Sequence, residues 1–433
     1  MRTQTAQTTL STQLRLTRED EAKLAGDHGP GVAMAMRLVV ALAKVSLATE
    51  LIDIESAHID GCLYHGQAGL DFIERLVGLG AKVAVPTTLN VSSLDQLHPG
   101  LVRLDPAEAA AARRLMDAYV AIGGKPTWTC APYQLAGRPE AGTDIAWAES
   151  NAIVFANSVM GARTARYGDF ADVCAAVTGR VPLAGLHIAQ NRVPGLELDC
   201  SGIPDHVLDN DAAWAAIGCV VGREVGERVA ILTGITPAVV DEDRLKALGA
   251  TAASGGGVAL FHVAGVTPEA VEAGDAWPAA GLPRIELTTE MLRAARDELT
   301  TASAGDQLDA VAFGTPHFSL TEFAKLAQVL QDRVPFDPSC TVWISTSREV
   351  LAEARTQGYA QVCEAAGARL VADTCTYLVP VLADSVSTAM TTSGKWAWYA
   401  PANLGINVVL GTLEECVASA RAGRVIRDES RWR

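Results

Sequence analysis

The chain has 433 residues, 49% hydrophobic and 20% charged, which is long enough for two or three domains and too apolar for global disorder. A formal net charge of −15 excludes the basic face that nucleic-acid binding needs. No uninterrupted apolar run approaches the roughly 18 residues of a membrane span, so neither nucleic acid nor membrane is an expected partner.

The start, MRTQTAQTTLSTQL, is polar and lacks the apolar core of a secretory signal; residues 1–15 read as a disordered tail and the protein as cytoplasmic. Thr17 to Asp20 then reads as a capping box, and a long apolar helix follows Gly31. A strand at Leu51–Glu55 leads into AHIDGCLYHGQAG. A helix near Leu70–Leu79, a strand AKVAVP and a polar loop TTLNVSS come next, and then a helix over Ala107–Ile122. In KPTWTCAPYQL, Pro126 and Pro132 flank Cys130 and pin it in a loop. TDIAWAESNAIVFANSVMGARTARYGDF reads as a tightly packed helix with a polar start at Glu149, Ser150 and Asn151.

Beyond residue 225, where a domain boundary is expected, the pattern alternates. GERVAILTG, GGGVALFHV, LDAVAFG, CTVWIST and ARLVADT read as strands, each followed by a helical pattern. Such alternation predicts parallel βαβ units, whose ligands sit beyond the carboxyl ends of the strands. That rule singles out the loops GVTP, GTPH at Gly314–His317, STSR at Ser345–Arg348 and DTCTYLVP from Asp373. SGGG at Ser254–Gly257 has no GK[ST] after it and is not a P-loop; no Rossmann fingerprint supports a nicotinamide cofactor.

Nine scattered cysteines, with no CxxC pair, argue against a disulfide framework and against a zinc ribbon. Each also reads as a small buried hydrophobe. Cys62, Cys130 and Cys375 stand out because they lie in loops just past strands or between prolines. Three thiolates without a fourth would leave one iron of a cluster open as a Lewis acid. His58 and His65 flank Cys62. His317 at a helix start reads either as an acid, base or carboxylate donor or as a capping partner, and Lys395 either fixes a substrate carboxylate or snorkels.

In order, ESNAIVFANSVMGARTARYGD, TGRVPLAGLH, TCAPY, G-x-PH-x-S-L-x-E-F, TSR, DTC and TTSGKWAWY resemble the aconitase X family from about Leu16 onward. The resemblance implies an aconitase-like α/β fold, with several βαβ subdomains and parallel sheets around a central cleft, over residues 16–225 and 226–433. It implies that the small swivelling domain is absent from this chain and arrives as a second subunit of a heterodimer. It further implies an iron–sulfur hydro-lyase that dehydrates cis-3-hydroxy-L-proline to Δ1-pyrroline-2-carboxylate. The alternatives are dehydration of mevalonate 5-phosphate, with Arg163, Arg166 and Arg348 as a phosphate pocket, and a non-catalytic paralogue that binds a small acid or regulates a partner. Thr315 stands where the archaeal pattern has a cysteine. The resemblance therefore implies the ligand set Cys62, Cys130 and Cys375, with Cys340 in reserve, and a 2Fe–2S cluster rather than 4Fe–4S or 3Fe–4S. It implies His58, His65 and Lys395 as catalytic residues, and Ser150, Asn151, Asn157, Thr315, His317 and Ser393 as substrate contacts.

Overall fold

The computed structural model describes residues 14–432; the tail expected over 1–15 lies, for residues 1–13, outside the described residues. Arg15 belongs to the fold, its N–H donating to the Thr49 carbonyl at 2.9 Å. The Thr17–Asp20 capping box is formed and opens the helix Arg18–Ala25. The long apolar helix is Pro30–Val45.

Three parallel sheets organise the molecule. The first has the order Thr87–Leu89, Ala57–Ile59, Ala146–Trp147, flanked by the helices Gln67–Gly78, Pro106–Ala121 and Ala171–Thr178. The second is Phe261–Val263, Ala230–Thr233, Leu196–Asp199, Arg284–Glu286. The third is Ala368–Ala372, Thr341–Thr346, Ala310–Phe313, Thr388–Thr391, Asn407–Leu410. A short antiparallel pair, Leu51–Asp53 with Arg180–Pro182, closes the edge of the first unit. Among the described residues no further sheet unit is present, and no helix is long and apolar enough to cross a membrane. Every strand of the three main sheets is parallel to its neighbours, as the strand–helix alternation requires.

Some boundaries differ from the sequence reading. The division expected at residue 225 falls inside the second unit, at the end of the helix Asp211–Val225 and before Ala230–Thr233, which pairs with Leu196–Asp199. AKVAVP is not a strand; the strand is Thr87–Leu89, inside the expected polar loop. The reason lies in its backbone partners: Val83 N–H donates to the Ile122 carbonyl and Ala84 N–H to the Ala176 carbonyl, both at 2.8 Å and both near helix C-termini. Gly255 and Gly256 belong to the helix Glu242–Gly256 rather than to the strand that begins at Phe261.

Those glycines have a packing role. The helices Asp211–Val225 and Glu242–Gly256 approach backbone to backbone, and a Cβ at Gly256 would fall on the Gly222 carbonyl while one at Gly218 would fall on the Leu248 carbonyl. One large apolar core runs from this helix pair through the second sheet to Trp343, Trp396 and Val408 of the third unit, and a separate core fills the first unit. Gly256→Ala is expected to destabilise the protein by about 1–3 kcal/mol or more through overpacking, read as a lowered denaturation midpoint, whereas Gly69→Ala, in a helix and with open space around it, meets no clash.

Candidate active site

The carboxyl ends of the first and third sheets face one another. In the first sheet Ala57, Thr87 and Ala146 lie in one register, so the residues that follow the three strands emerge side by side. Asp60 follows the first strand, Asn90 and Val91 the second, and Glu149 and Ser150 the third. Lys125 bridges to Thr88 in parallel and carries the chain on to Cys130. From the third sheet, Thr315 follows Ala310–Phe313, Cys375 follows Ala368–Ala372, and Lys395 follows Thr388–Thr391. Together with Tyr377, Tyr399 and Asn403 these residues line one cavity of about 310 Å³.

The two sheets are stitched by main-chain hydrogen bonds. Ser92 N–H donates to the Asp373 carbonyl at 2.7 Å, Gln96 N–H to Asp373 Oδ2 at 3.0 Å, and Ala372 N–H to Asp95 Oδ2 at 2.9 Å. Arg348 forks onto the Asp373 carboxylate at 2.5 and 2.7 Å. Trp128, Glu149 and Asp373 have positive φ angles of 44°, 75° and 63°. Non-glycine residues in that region cost roughly 1–3 kcal/mol each and gather where surrounding structure over-determines them, often at functional sites.

On one wall the thiols of Cys130 and Cys375 converge, their sulfurs within 4.8 Å of each other. The His317 ring lies with them, the three ligand atoms within 4.8 Å of one another. His317 N–H donates to Cys130 Sγ at 3.3 Å; its Nδ1 meets Thr129 Oγ1 at 3.0 Å and its Nε2 the Thr374 carbonyl at 3.2 Å. Burial lowers the His317 pKa to about 4, so the ring is neutral. The Cys130 thiol and burial together hold the Cys375 thiol well above the usual thiol range. Thr315 Oγ1 and Thr374 Oγ1 are buried beside these thiols without a hydrogen-bond partner. Two converging thiols, a neutral imidazole and orphaned hydroxyls fit a thiolate-bound metal group with acceptor atoms of its own.

The opposite wall is ionic. Lys395 Nζ donates to Glu149 Oε1, and to Ser150 Oγ at 3.2 Å. Burial alone would lower the ammonium, but Glu149 outweighs it and holds Lys395 well above its usual range. Glu149 is saturated: it also accepts from Asn151 Nδ2 and, at 2.8 Å, from the Ala152 N–H, capping the helix that starts at Ser150. Asp60 accepts from Asn90 Nδ2, and its N–H donates to Asp172 Oδ2 at 2.7 Å. Burial, with Glu149 and Asp172 nearby, pushes the Asp60 carboxyl up to about 8; burial pushes Asp172 up to about 7.

The structure thus brings Cys130, Cys375, His317, Thr315, Ser150 and Lys395 together, and sets Asn151 behind them, bonded to the Cys130 carbonyl at 2.7 Å. It does not bring the rest. Cys62 turns away: Gly61 reverses the chain, so Asp60 faces the cavity while Cys62 Sγ donates to the Ile59 carbonyl at 3.5 Å inside the first unit's core. Cys340 precedes the strand Thr341–Thr346 and so sits at the far, amino end of the third sheet. His58 is buried behind the wall, with Nδ1 at 2.8 Å from Thr88 Oγ1, and His65 is exposed outside the cavity. Asn157 is structural: it bonds the Thr164 and Ala259 carbonyls and receives Arg192. Ser393 caps the helix Gly394–Leu404 and donates to the Thr315 carbonyl rather than lining the cavity. None of Arg163, Arg166 and Arg348 lines it. Asp60 escaped the sequence reading, and Glu149 was read only as part of a polar helix start; no local pattern reveals which of two near neighbours faces a cavity.

Residues 13–190, 195–297 and 308–422 match the aconitase X first, second and third domains. A cis-3-hydroxy-L-proline dehydratase of Pseudomonas aeruginosa is 42% identical, over 95% of this chain and 70% of that protein. A phosphomevalonate dehydratase large subunit of Methanothermobacter thermautotrophicus is 36% identical, over 91% of this chain and 96% of that one. The crystal structure of Thermococcus kodakaraensis aconitase X in its holo form superposes with a TM-score of 0.84 at 33% identity, over 94% of this chain and all of that one.

Two outcomes are expected from the ionic wall. Lys395→Met should destabilise the protein by about 3–5 kcal/mol, because Glu149 is left buried without its cation, and adding Glu149→Gln should restore much of that; denaturant unfolding of the single and double variants measures both. For the raised carboxyls the folded state keeps a proton that the unfolded chain releases. Their stabilising contribution is therefore complete below about pH 4 and is lost as pH rises through about 7 to 8. Asp172→Asn should flatten the fall in melting temperature between roughly pH 5 and pH 8.

Proposed function

The chain belongs to the aconitase X family, and we propose from that premise that it is an iron–sulfur hydro-lyase that removes water from cis-3-hydroxy-L-proline, giving Δ1-pyrroline-2-carboxylate. The observation that carries this reading is the cavity itself. Two thiols from opposite sheets converge on one wall, a buried Lys–Glu pair stands on another, and among the described residues no arginine lines it to receive a phosphate.

Cys130 and Cys375 are the protein ligands of the cluster in this reading, with His317 as the group poised to complete the set or to orient it through its N–H to Cys130. A cluster bound by these residues would supply Lewis-acid chemistry for loss of the hydroxyl. The chain's own residues do the rest. Lys395 and Ser150 offer donors to the substrate carboxylate, fixed by Glu149 so that little reorganisation is needed on binding. Tyr377 and Leu378 exclude water from the same cavity. Among the described residues the groups lining the cavity that can exchange a proton with Cα are Asp60, Glu149, Lys395 and the tyrosines; neither histidine expected for that task lines it. The extent of the match to large subunits supports a small subunit as partner, closing over the open mouth.

Dehydration of mevalonate 5-phosphate is the second reading, favoured by the 36% identical large subunit. The absence of an arginine from the cavity lining weighs against it.

The test is anaerobic purification with the small subunit, followed by iron and sulfide analysis and assay on both substrates. Brown protein that turns over cis-3-hydroxy-L-proline is expected; turnover of mevalonate 5-phosphate alone would overturn the choice of substrate. Cys130→Ser and Cys375→Ser should each strip iron and reduce kcat at least a hundredfold (about 3 kcal/mol or more of barrier). Cys62→Ser should keep its iron, because its thiol points into the core.

A further inference from the structure

The cavity is lined by two acidic side chains and one cation, and one of the two acids has no ion-pair partner. Lys395 is the only cationic side chain among its lining residues, and Glu149 matches it. Both Glu149 oxygens are taken, by Lys395 and Ser150 on one side and by Asn151 and the Ala152 N–H on the other. Asp60 differs. Its Oδ1 accepts from Asn90, and its Oδ2 has no hydrogen-bond partner among the described residues. The group nearest to it through the backbone is Asp172, a second carboxyl that adds to the negative field. A half-buried carboxyl that faces a cavity, is held in place by Asn90 and Asp172 and has no ion-pair partner is set to ionise against a cation brought by the ligand.

Resting on the dehydratase reading, we infer that Asp60 is the specificity-determining residue that receives the ring ammonium of the substrate. The zwitterion then spans the cavity: its carboxylate meets Lys395 and Ser150, and its ammonium meets Asp60 Oδ2. The arrangement selects cyclic amino acids over acids of the same shape that lack the nitrogen, and it disfavours a phosphorylated acid, which brings no cation to Asp60. Asn90 is a positioning residue in this scheme, since it fixes the Asp60 carboxylate through the other oxygen.

The experiment compares two ligands of one shape by calorimetry on the full iron-loaded chain with any subunit that co-purifies. L-proline carries the ammonium; (S)-tetrahydrofuran-2-carboxylate replaces it with an ether oxygen. The wild-type protein should bind L-proline about 30-fold or more tightly than the ether, the fold-change that goes with one partner of a buried charge pair. Asp60→Asn should erase that preference while leaving the affinity for the ether within about threefold of wild type, so the ether also reports that the variant is folded. A wild-type protein without the preference, or an Asp60→Asn variant that loses both ligands or neither, overturns the assignment. An Asp60-dependent preference in a protein that does not dehydrate cis-3-hydroxy-L-proline would instead sink the dehydratase reading and leave this one standing.

Discussion

The site depends on one constraint: two parallel sheets must present their carboxyl ends to each other across a seam that is held mainly by backbone. Loops at strand ends are free to diverge, so a cavity built from six of them needs a fixed reference. Asp373 and Asp95 supply it. Each carboxylate accepts main-chain N–H groups from across or beside the seam, and Arg348 neutralises Asp373 where it is buried. Because these bonds join main chain to side chain in both directions, neither sheet can slide without breaking several at once. The strained Asp373, two residues before Cys375, lies at this junction.

The same seam explains the electrostatics. A Lys–Glu pair with each side chain 6% exposed is poor value as a stabilising device, since desolvation offsets most of the attraction. Its partners give a better account. Glu149 reaches Lys395 from the first sheet to the third while capping its own helix, so the pair fixes the position of an ammonium relative to two thiols rather than adding to stability. Asp60 and Asp172 carry the opposite implication. Two carboxyls raised toward neutrality are a standing cost to the fold, and a cost retained at a cavity wall points to use there.

Much of this was legible in the sequence because it is local. The capping box at Thr17 is written in residues three apart, and it is formed. The alternation of apolar runs and helical patterns points to the parallel class, and the strand-end rule found Thr315 and Cys375. The misses share a cause. Orientation within a three-residue strand or a glycine turn is decided by packing from distant segments. His58 lies in a strand whose three residues are all buried, so period-two alternation carried no signal there. Asp60 and Cys62 straddle Gly61, and only the fold decides which of them faces inward. Cys340, by contrast, could have been set aside from sequence, since it comes before its strand and the site lies at the other end.

Cys130 and Cys375 reach the cavity from opposite sides of the seam, and this gives metal binding a structural meaning. Cys130 is carried by the segment that extends the first sheet, where Thr129 N–H bonds the Leu89 carbonyl, while Cys375 hangs from the third. A group ligated by both thiols is a cross-link between the two units, and its binding free energy adds to the stability of the seam by mass action. The two sulfurs lie within 4.8 Å of each other and His317 braces Cys130, so the ligands are gathered by the fold itself and little ordering accompanies loading. A ligand pair split across a domain boundary ties the geometry of the reactive wall to the closure of the cleft: any relative motion of the sheets changes the distance between the thiols before it changes anything within either unit.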